Sequence, residues 1–261
     1  MRLDGKVAIV TGGSRGIGRA ICLGLGGCGA KVVVAARTAV DTSAGARFEK
    51  YASGTIHDTA RQIAEGGGTA LAVRCDVSSA DEIRLLVDTT LGHFGRLDIV
   101  VANAGIDCES PLAELDVDLL DRCLAVNIRG PLLLSKFALP SMIAQGSGGS
   151  IFGITSGSAR VYRQGRVGYS MSKAALERVF LSLAEEVRPH NIAVNVLGPG
   201  RMDTWMNRNG DWPGTEDIPM VSADEIIPSA VWLAGQTAET FTGRAVRRAE
   251  FGTAWGPGAL P

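Results

Sequence analysis

Residues 155–173, TSGSARVYRQGRVGYSMSK, place serines at 156, 158, 170 and 172 beside Tyr162, Tyr169, Lys173 and the arginines Arg160, Arg163 and Arg166. Hydroxyls next to a lysine suit proton transfer to or from an oxygen. Each tyrosine has a cation four residues downstream, Tyr162 with Arg166 and Tyr169 with Lys173. That spacing puts two side chains on one face of a helix. A free phenol titrates near pH ~10, too high for a base at neutrality. An ammonium fixed about 4 Å away is worth roughly 4 kcal/mol at an effective dielectric near 20, which lowers the phenol by about 3 units before desolvation takes some back.

The two pairs are not equal. Gly165 interrupts the Tyr162–Arg166 interval and Gly168 follows it, which argues against a helix there. A guanidinium also keeps its proton and cannot relay one. Tyr169 and Lys173 instead open a long amphipathic pattern, GYSMSKAALERVFLSLAEEV, and Ser156 closes the apolar run SIFGITS. The pattern selects Tyr169 as the proton-transferring phenol, with Ser156 as the other acting hydroxyl. Ser158 and Tyr162 are expected to edge the substrate pocket. Arg160, Arg163 and Arg166 read first as solvated loop charges, with an acidic substrate group as the alternative partner.

A second constellation lies near the N-terminus. TGGSRGIG, residues 11–18, directly follows the apolar run KVAIV and opens a helical pattern. Glycines at such a turn let backbone N–H groups approach phosphate oxygens, and the helix N-terminus adds favourable partial charge. The second strand ends in Ala36 and Arg37. An acidic residue there would bond a ribose 2′-hydroxyl. Arg37, with Arg15 in the glycine loop, offers charge-assisted forks for a 2′-phosphate instead. NADP(H) is therefore expected in preference to NAD(H).

The elements that must position these groups alternate regularly. Apolar runs at 6–10, 31–36, 69–77, 97–105, 150–156 and 192–200 are separated by longer helical patterns, including the segment 116–145. Unbroken Val/Ile runs are what strands covered on both faces look like. The alternation predicts an α/β fold, a doubly wound parallel sheet of Rossmann type, forming one dinucleotide-binding and catalytic domain over 1–261. Residues 38–54 are polar and rich in Gly and Ser, which predicts a long loop. Residues 201–222, with Trp205, Met206 and Trp212, have the composition of an apolar flap over a substrate pocket. Gly24, Gly26 and Gly27 each cost the first helix about 1 kcal/mol relative to Ala, so close packing is one reason to look for there and a weak helix the other.

Bulk properties exclude several classes. A formal charge of −1 in 261 residues provides no attraction for nucleic acid or an anionic membrane surface. The apolar runs fall far short of the ~20 residues that span a bilayer. A strand beginning by Val7 leaves no room for a signal peptide's apolar region. Five cysteines without a CxxC pair suit a reduced, cytoplasmic setting. His57, His93 and His190 have no metal-ligand spacing, so no metal is expected.

Taken in order, these motifs resemble the short, single-domain branch of the short-chain dehydrogenase/reductase family. The likeness runs from Lys6 to about Gly243. TGGSRGIG is similar to its TGxxxGxG loop, CDV (75–77) to its adenine contact, NAG (103–105) to its NAG element, and GPGRMDT (198–204) to the stretch beside the nicotinamide. Asn127 in AVNIRG, Ser156, Tyr169 and Lys173 match the family's catalytic tetrad. The resemblance implies cofactor contacts from Gly12, Ser14, Arg15, Gly16, Ile17, Gly18, Arg37, Asp76, Val77, Asn103, Ala104, Gly105, Tyr169, Lys173, Pro199, Gly200, Met202 and Thr204. It implies that Lys173 also binds the nicotinamide ribose and that Asn127 holds a water between Lys173 and solvent. The implied reaction moves a hydride between nicotinamide and a small-molecule carbonyl or alcohol, as in a carbonyl reductase, in a homotetramer or dimer built through 116–145 and 168–187. A nucleotide-sensing regulator of the same fold without turnover is the alternative. The C-terminus keeps the TG element at 242–243 but lacks the DGG ending common in the family, which leaves the last strand open.

Overall fold

The computed structural model describes residues 1–40, 54–210 and 218–259. Most of the polar segment 38–54 and the middle of 201–222, with Trp212, lie outside the described residues. Strands β1 (Val7–Thr11), β2 (Lys31–Ala36), β3 (Thr69–Arg74), β4 (Ile99–Ala102), β5 (Gly149–Ile154), β6 (Ile192–Gly198) and β7 (Arg244–Arg247) form one parallel sheet. Their order is β3-β2-β1-β4-β5-β6-β7. The helices are α1 (Gly16–Gly27), α2 (Ile56–Glu65), α3 (Ala80–Phe94), α4 (Val117–Leu124), α5 (Gly130–Gln145), α6 (Val167–Val187), α7 (Trp205–Asn209) and α8 (Ile227–Ala234).

The period-2 geometry of the strands explains their composition. Ala8 and Val10 of β1, Val32 and Val34 of β2, and Ile99 and Val101 of β4 face one core, filled from outside by Ile21, Leu25, Ile56, Ile63 and Ala230. Ile9, Val33, Ala35 and Val100 face the opposite core, covered by Ile83, Leu86, Leu134 and Phe180. Both strand faces are thus buried, and only a run without polar alternation satisfies both. The weak-looking first helix has a packing reason at two of its glycines. A Cβ on Gly24 would stand 2.6 Å from Ile227 Cγ2, and one on Gly26 would stand 2.7 Å from Ile63 Cγ2. Gly27 has nothing within 4 Å.

Two details differ from the sequence expectation or resolve it. The segment 116–145 is not one helix: α4 and α5 are joined by a π-helical turn, Ala125–Arg129, centred on Asn127. Such turns are rare and concentrate at functional positions. The last strand exists, and the chain beyond it folds back so that Trp255 Nε1 donates to the Arg247 carbonyl at 2.8 Å. Trp232, Phe241, Phe251 and Trp255 stack there edge to face and in parallel, an apolar plug in place of the usual family ending. Among the described residues, no helix is long and apolar enough to cross a membrane.

Strands β2 and β4 flank β1 and lead the chain away in opposite directions, which opens a crevice at their carboxyl ends. The glycine loop, Arg37, Asp76, Asn103, Ser156 and Pro199 all follow the carboxyl ends of strands and so line one edge of the sheet.

Candidate active site

The turn after β1 needs its glycines. Gly12 stands at φ 69° and Gly16 at φ 54°, in the left-handed region that side chains rarely adopt. A Cβ on Gly18 would stand 2.5 Å from Asn103 Nδ2, so α1 approaches the segment after β4 through bare backbone. No acidic side chain occupies the first turn of α1, which leaves the helix a positive end. Ile17 packs on the core, and Ser14 is buried.

Supports that the sequence reading missed hold this loop. Arg19 Nη2 donates to the Ser14 carbonyl at 2.7 Å and Arg19 Nε to Thr59 Oγ1 at 3.2 Å. Thr59 Oγ1 in turn donates to the Gly13 carbonyl at 2.9 Å. Thr11 Oγ1 accepts from the N–H groups of Asn103 (3.1 Å) and Ala104 (3.2 Å), while Asn103 Nδ2 donates to the Thr11 carbonyl at 2.8 Å. A threonine at the end of a strand carries no distinctive sequence signal, because its role depends on a strand 90 residues away.

Arg37 is exposed at the end of β2, and the Cys75 N–H donates to the Ala36 carbonyl at 3.1 Å, which sets Asp76 and Val77 beside it. Asp76 Oδ1 accepts from the Ser78 N–H at 2.9 Å and its hydroxyl at 2.7 Å. Burial pushes this carboxyl up, but the Ser78 bonds and the charges of Arg37 and Arg74 outweigh it and hold the group below the ordinary range. Arg15 lies 5.3 Å over the ring of Trp205 in α7.

Beyond β6 the chain passes the buried Pro199, whose carbonyl accepts from Arg248 Nε at 3.0 Å, and Gly200 at φ 79°. Met202 is fully buried and bridges to Val221, so the two ends of 201–222 are tied together at their base. Thr204 caps α7 through Asn207, and its methyl would meet a Cβ on Gly16 at 3.3 Å. The glycine loop and the start of the expected flap are therefore in contact.

Ser156, Tyr169 and Lys173 lie between the end of β5 and the start of α6. Ser156 follows β5, and its Oγ accepts from the Ser158 N–H at 3.2 Å. Tyr169 lies in the first turn of α6, almost fully buried, and Ser156 favours its ionised form. One turn on, Lys173 donates to the Ile154 carbonyl at 2.9 Å, with Nζ 5.7 Å from the Tyr169 ring centre. A Cβ on Gly105 would meet Asn127 Oδ1 at 3.3 Å and Lys173 Nζ at 3.4 Å, so Gly105 is the floor that brings the two together.

Two sequence expectations need correction. The protein environment does not lower the Tyr169 phenol: burial, and then the Asp107 carboxylate, push it up against the opposing Ser156 hydroxyl and Arg166 charge. Burial also draws Lys173 down to about 8, which weakens the ammonium that was to do the lowering. Tyr162 is wholly exposed, whereas Ser158 is buried beside Ser156. Arg166 is not a solvated loop charge; it is fully buried, on Asp107 and Glu109. Local composition could not show this, since its partners lie 57 and 59 residues upstream.

Residues 6–212 match the model of the short chain dehydrogenase family. The chain belongs to that family. This short-chain dehydrogenase is 35% identical to the NADPH-dependent aldehyde reductase-like protein, chloroplastic, of Arabidopsis thaliana, over 94% of this chain and 93% of the other. It is 32% identical to glucose 1-dehydrogenase 2 of Bacillus subtilis, over 92% of each. Among solved structures it superposes at TM-score 0.81 and 28% identity on a candidate NAD(P) dependent gluconate 5-dehydrogenase of Beutenbergia cavernae with bound NADP at low occupancy, covering 95% and 96% of the two chains. As a member of this family the short-chain dehydrogenase is an NAD(P)-dependent oxidoreductase acting on a CH–OH group of a small-molecule substrate. Its glycine turn, the bare approach at Gly18 and the positive end of α1 fit a dinucleotide.

Proposed function

We propose that this chain is an NADP(H)-dependent carbonyl reductase or alcohol dehydrogenase with Tyr169 as general acid and base. The observation that carries the reading is that Tyr169, almost fully buried, lies close enough to Ser156 for that hydroxyl to act on its ionisation, with Lys173 one turn behind. Two hydroxyls so placed can both reach one substrate oxygen. When bound, the nicotinamide supplies or accepts the hydride. Ser156 donates to the carbonyl oxygen and polarises it; Tyr169 delivers its proton in reduction and removes it in oxidation. The Tyr169 environment, which holds the proton on the phenol, suits the acid role. With a positive charge beside it in oxidation, Tyr169 would more readily release the proton that the protein alone holds on the phenol.

The glycine loop with Gly12, Ser14, Gly16, Ile17 and Gly18 would hold the pyrophosphate. Asp76 and Val77 would hold the adenine. Asn103, Ala104, Gly105, Pro199, Gly200, Met202 and Thr204 would hold the nicotinamide half, together with the Tyr169 and Lys173 side chains. Arg37 and Arg15 support NADP(H), because neither position carries the carboxylate that a 2′-phosphate would oppose. Trp205 and Met206, half-buried at the entrance to 201–222, suit an apolar substrate wall and the flap assignment. Exposed Val117, Leu132, Ile143, Val167 and Met171 on α4, α5 and α6 support a homodimer or homotetramer through those helices. Five free thiols, four of them buried, suit a cytoplasmic setting.

A panel of carbonyls and alcohols followed by nicotinamide absorbance, with both cofactors and with Tyr169→Phe, tests the assignment. Turnover with NADP(H) that Y169F abolishes is expected. A Y169F enzyme that works at the wild-type rate removes Tyr169 from the mechanism, and tighter binding of NAD(H) removes the cofactor assignment.

A further inference from the structure

Burying a guanidinium is expensive, and an ion pair recovers that cost only with good geometry. Arg166 is fully buried. Its Nη1 donates to both carboxylate oxygens of Asp107, at 2.5 and 2.6 Å, and its Nη2 donates to Glu109 Oε2 at 3.0 Å. Such pairs are weak sources of stability, so position and field are the better explanation for one beside an acid/base group. Arg166 is the residue before α6, three ahead of Tyr169, and its carbonyl accepts the Ser170 N–H at 2.8 Å. Asp107 follows Ile106, whose N–H and carbonyl are both held by Asn127. The Ser110 N–H donates to the Gly165 carbonyl at 2.9 Å. Segment 105–110 is thereby bolted at one end to Asn127 and at the other to the start of the tyrosine helix.

We infer that Arg166 and Asp107 are positioning residues for the reaction, a buried ion pair that fixes segment 105–110 against the start of α6 and sets the electrostatic field at the Tyr169 hydroxyl. The inference rests on the assignment of Tyr169 as acid and base. The groups facing Tyr169 are Asp107 and Cys108 from segment 105–110, Cys123 from α4, Ser156 from the end of β5, and Arg166 and Lys173 on its own side. Asp107 opposes loss of the phenolic proton and Arg166 favours it, so removing one partner must move the ionisation in a direction set by the partner that remains.

The test is the pH profile of kcat/KM for alcohol oxidation in wild type, Asp107→Asn, Arg166→Gln and the double variant, with thermal unfolding and cofactor affinity measured alongside. D107N should shift the acid limb down by about one unit, and R166Q should shift it up by a similar amount. The double variant should return close to the wild-type limb. Lower rates with an unmoved limb in D107N mean a purely structural role and overturn the inference. Should R166Q fail to fold, the D107N limb decides alone. Y169F separates the two layers: an inactive Y169F with an unmoved D107N limb removes only the ion pair, whereas an active Y169F removes the tyrosine assignment and this inference with it.

Discussion

Asn127 grips Ile106 from both sides: its Nδ2 donates to the Ile106 carbonyl at 2.9 Å, and its Oδ1 accepts the Ile106 N–H at 2.9 Å. The same Nδ2 lies 3.0 Å from Ser172 Oγ and 3.3 Å from Cys123 Sγ. The Nδ2 donors are thus committed to protein partners, while Oδ1 keeps a second lone pair. Asn127→Asp keeps the acceptor and loses the donor, placing a carboxylate oxygen against the Ile106 carbonyl. A loss of about 2–3 kcal/mol is expected, with turnover reduced more than the loss of folded protein explains. Urea unfolding beside steady-state kinetics checks it; an unchanged midpoint contradicts the bracing role.

Lys173 links stability to pH. Its pKa falls from 10.5 in the unfolded chain to about 8 in the folded one because burial penalises the ammonium. Between those values the unfolded chain binds more protons, so this group's contribution to stability rises with pH, is full above 10.5 and is lost as pH falls through about 8. The total swing is on the order of 3 kcal/mol. The buried thiols Cys75 and Cys108, pushed up to about 12 and about 11, act in the opposite sense above their ordinary value of 9.0. Both are present in Lys173→Met, so the difference in unfolding free energy between wild type and K173M reports the lysine together with its coupling to the Cys123 thiol. That difference should grow in favour of wild type from pH 7 to pH 10, and a flat difference contradicts the burial of an ionisable amine.

Two glycines of α1 should respond in opposite directions to the same added methyl. Gly24→Ala drives a Cβ to 2.6 Å from Ile227 Cγ2 and should destabilise by about 1–3 kcal/mol through overpacking. Gly27→Ala meets nothing within 4 Å and should stabilise by roughly 0.5–1 kcal/mol through helix propensity. Thermal denaturation of the two variants decides; a stabilised G24A contradicts the close α1–α8 contact.

Arg37 and Arg15 separate by position. Arg37→Asp places a carboxylate at the end of β2 and should weaken NADP(H) by about tenfold or more while sparing or improving NAD(H). Arg15→Ala removes a guanidinium and its stacking on Trp205, so it should weaken NADP(H) and loosen the start of 201–222 as well. Kd values for both cofactors, with Trp fluorescence as the second readout, test the pair. Equal losses for NAD(H) and NADP(H) in R37D contradict a 2′-phosphate site at Arg37.

The doubly wound sheet, and the residue types gathered along its carboxyl edge, are legible in the chain itself. Strands buried on both faces must be continuously apolar, a phosphate turn must be glycine-rich, and Tyr169 and Lys173 share a helix face by spacing alone. Each of these requirements acts within a few residues of chain. The tertiary structure decided what depended on distant partners. Arg166 and Tyr162 look alike as loop residues, yet one is fully buried on Asp107 and Glu109 and the other wholly exposed. The π-helical turn at Asn127, the Thr11–Asn103 and Arg19–Thr59 braces and the Arg15–Trp205 stack likewise join segments far apart in the chain. The direction of the Tyr169 ionisation belongs with them. Spacing reports only its nearest cation, while desolvation and the field of Asp107 arise from how the whole chain closes around the phenol.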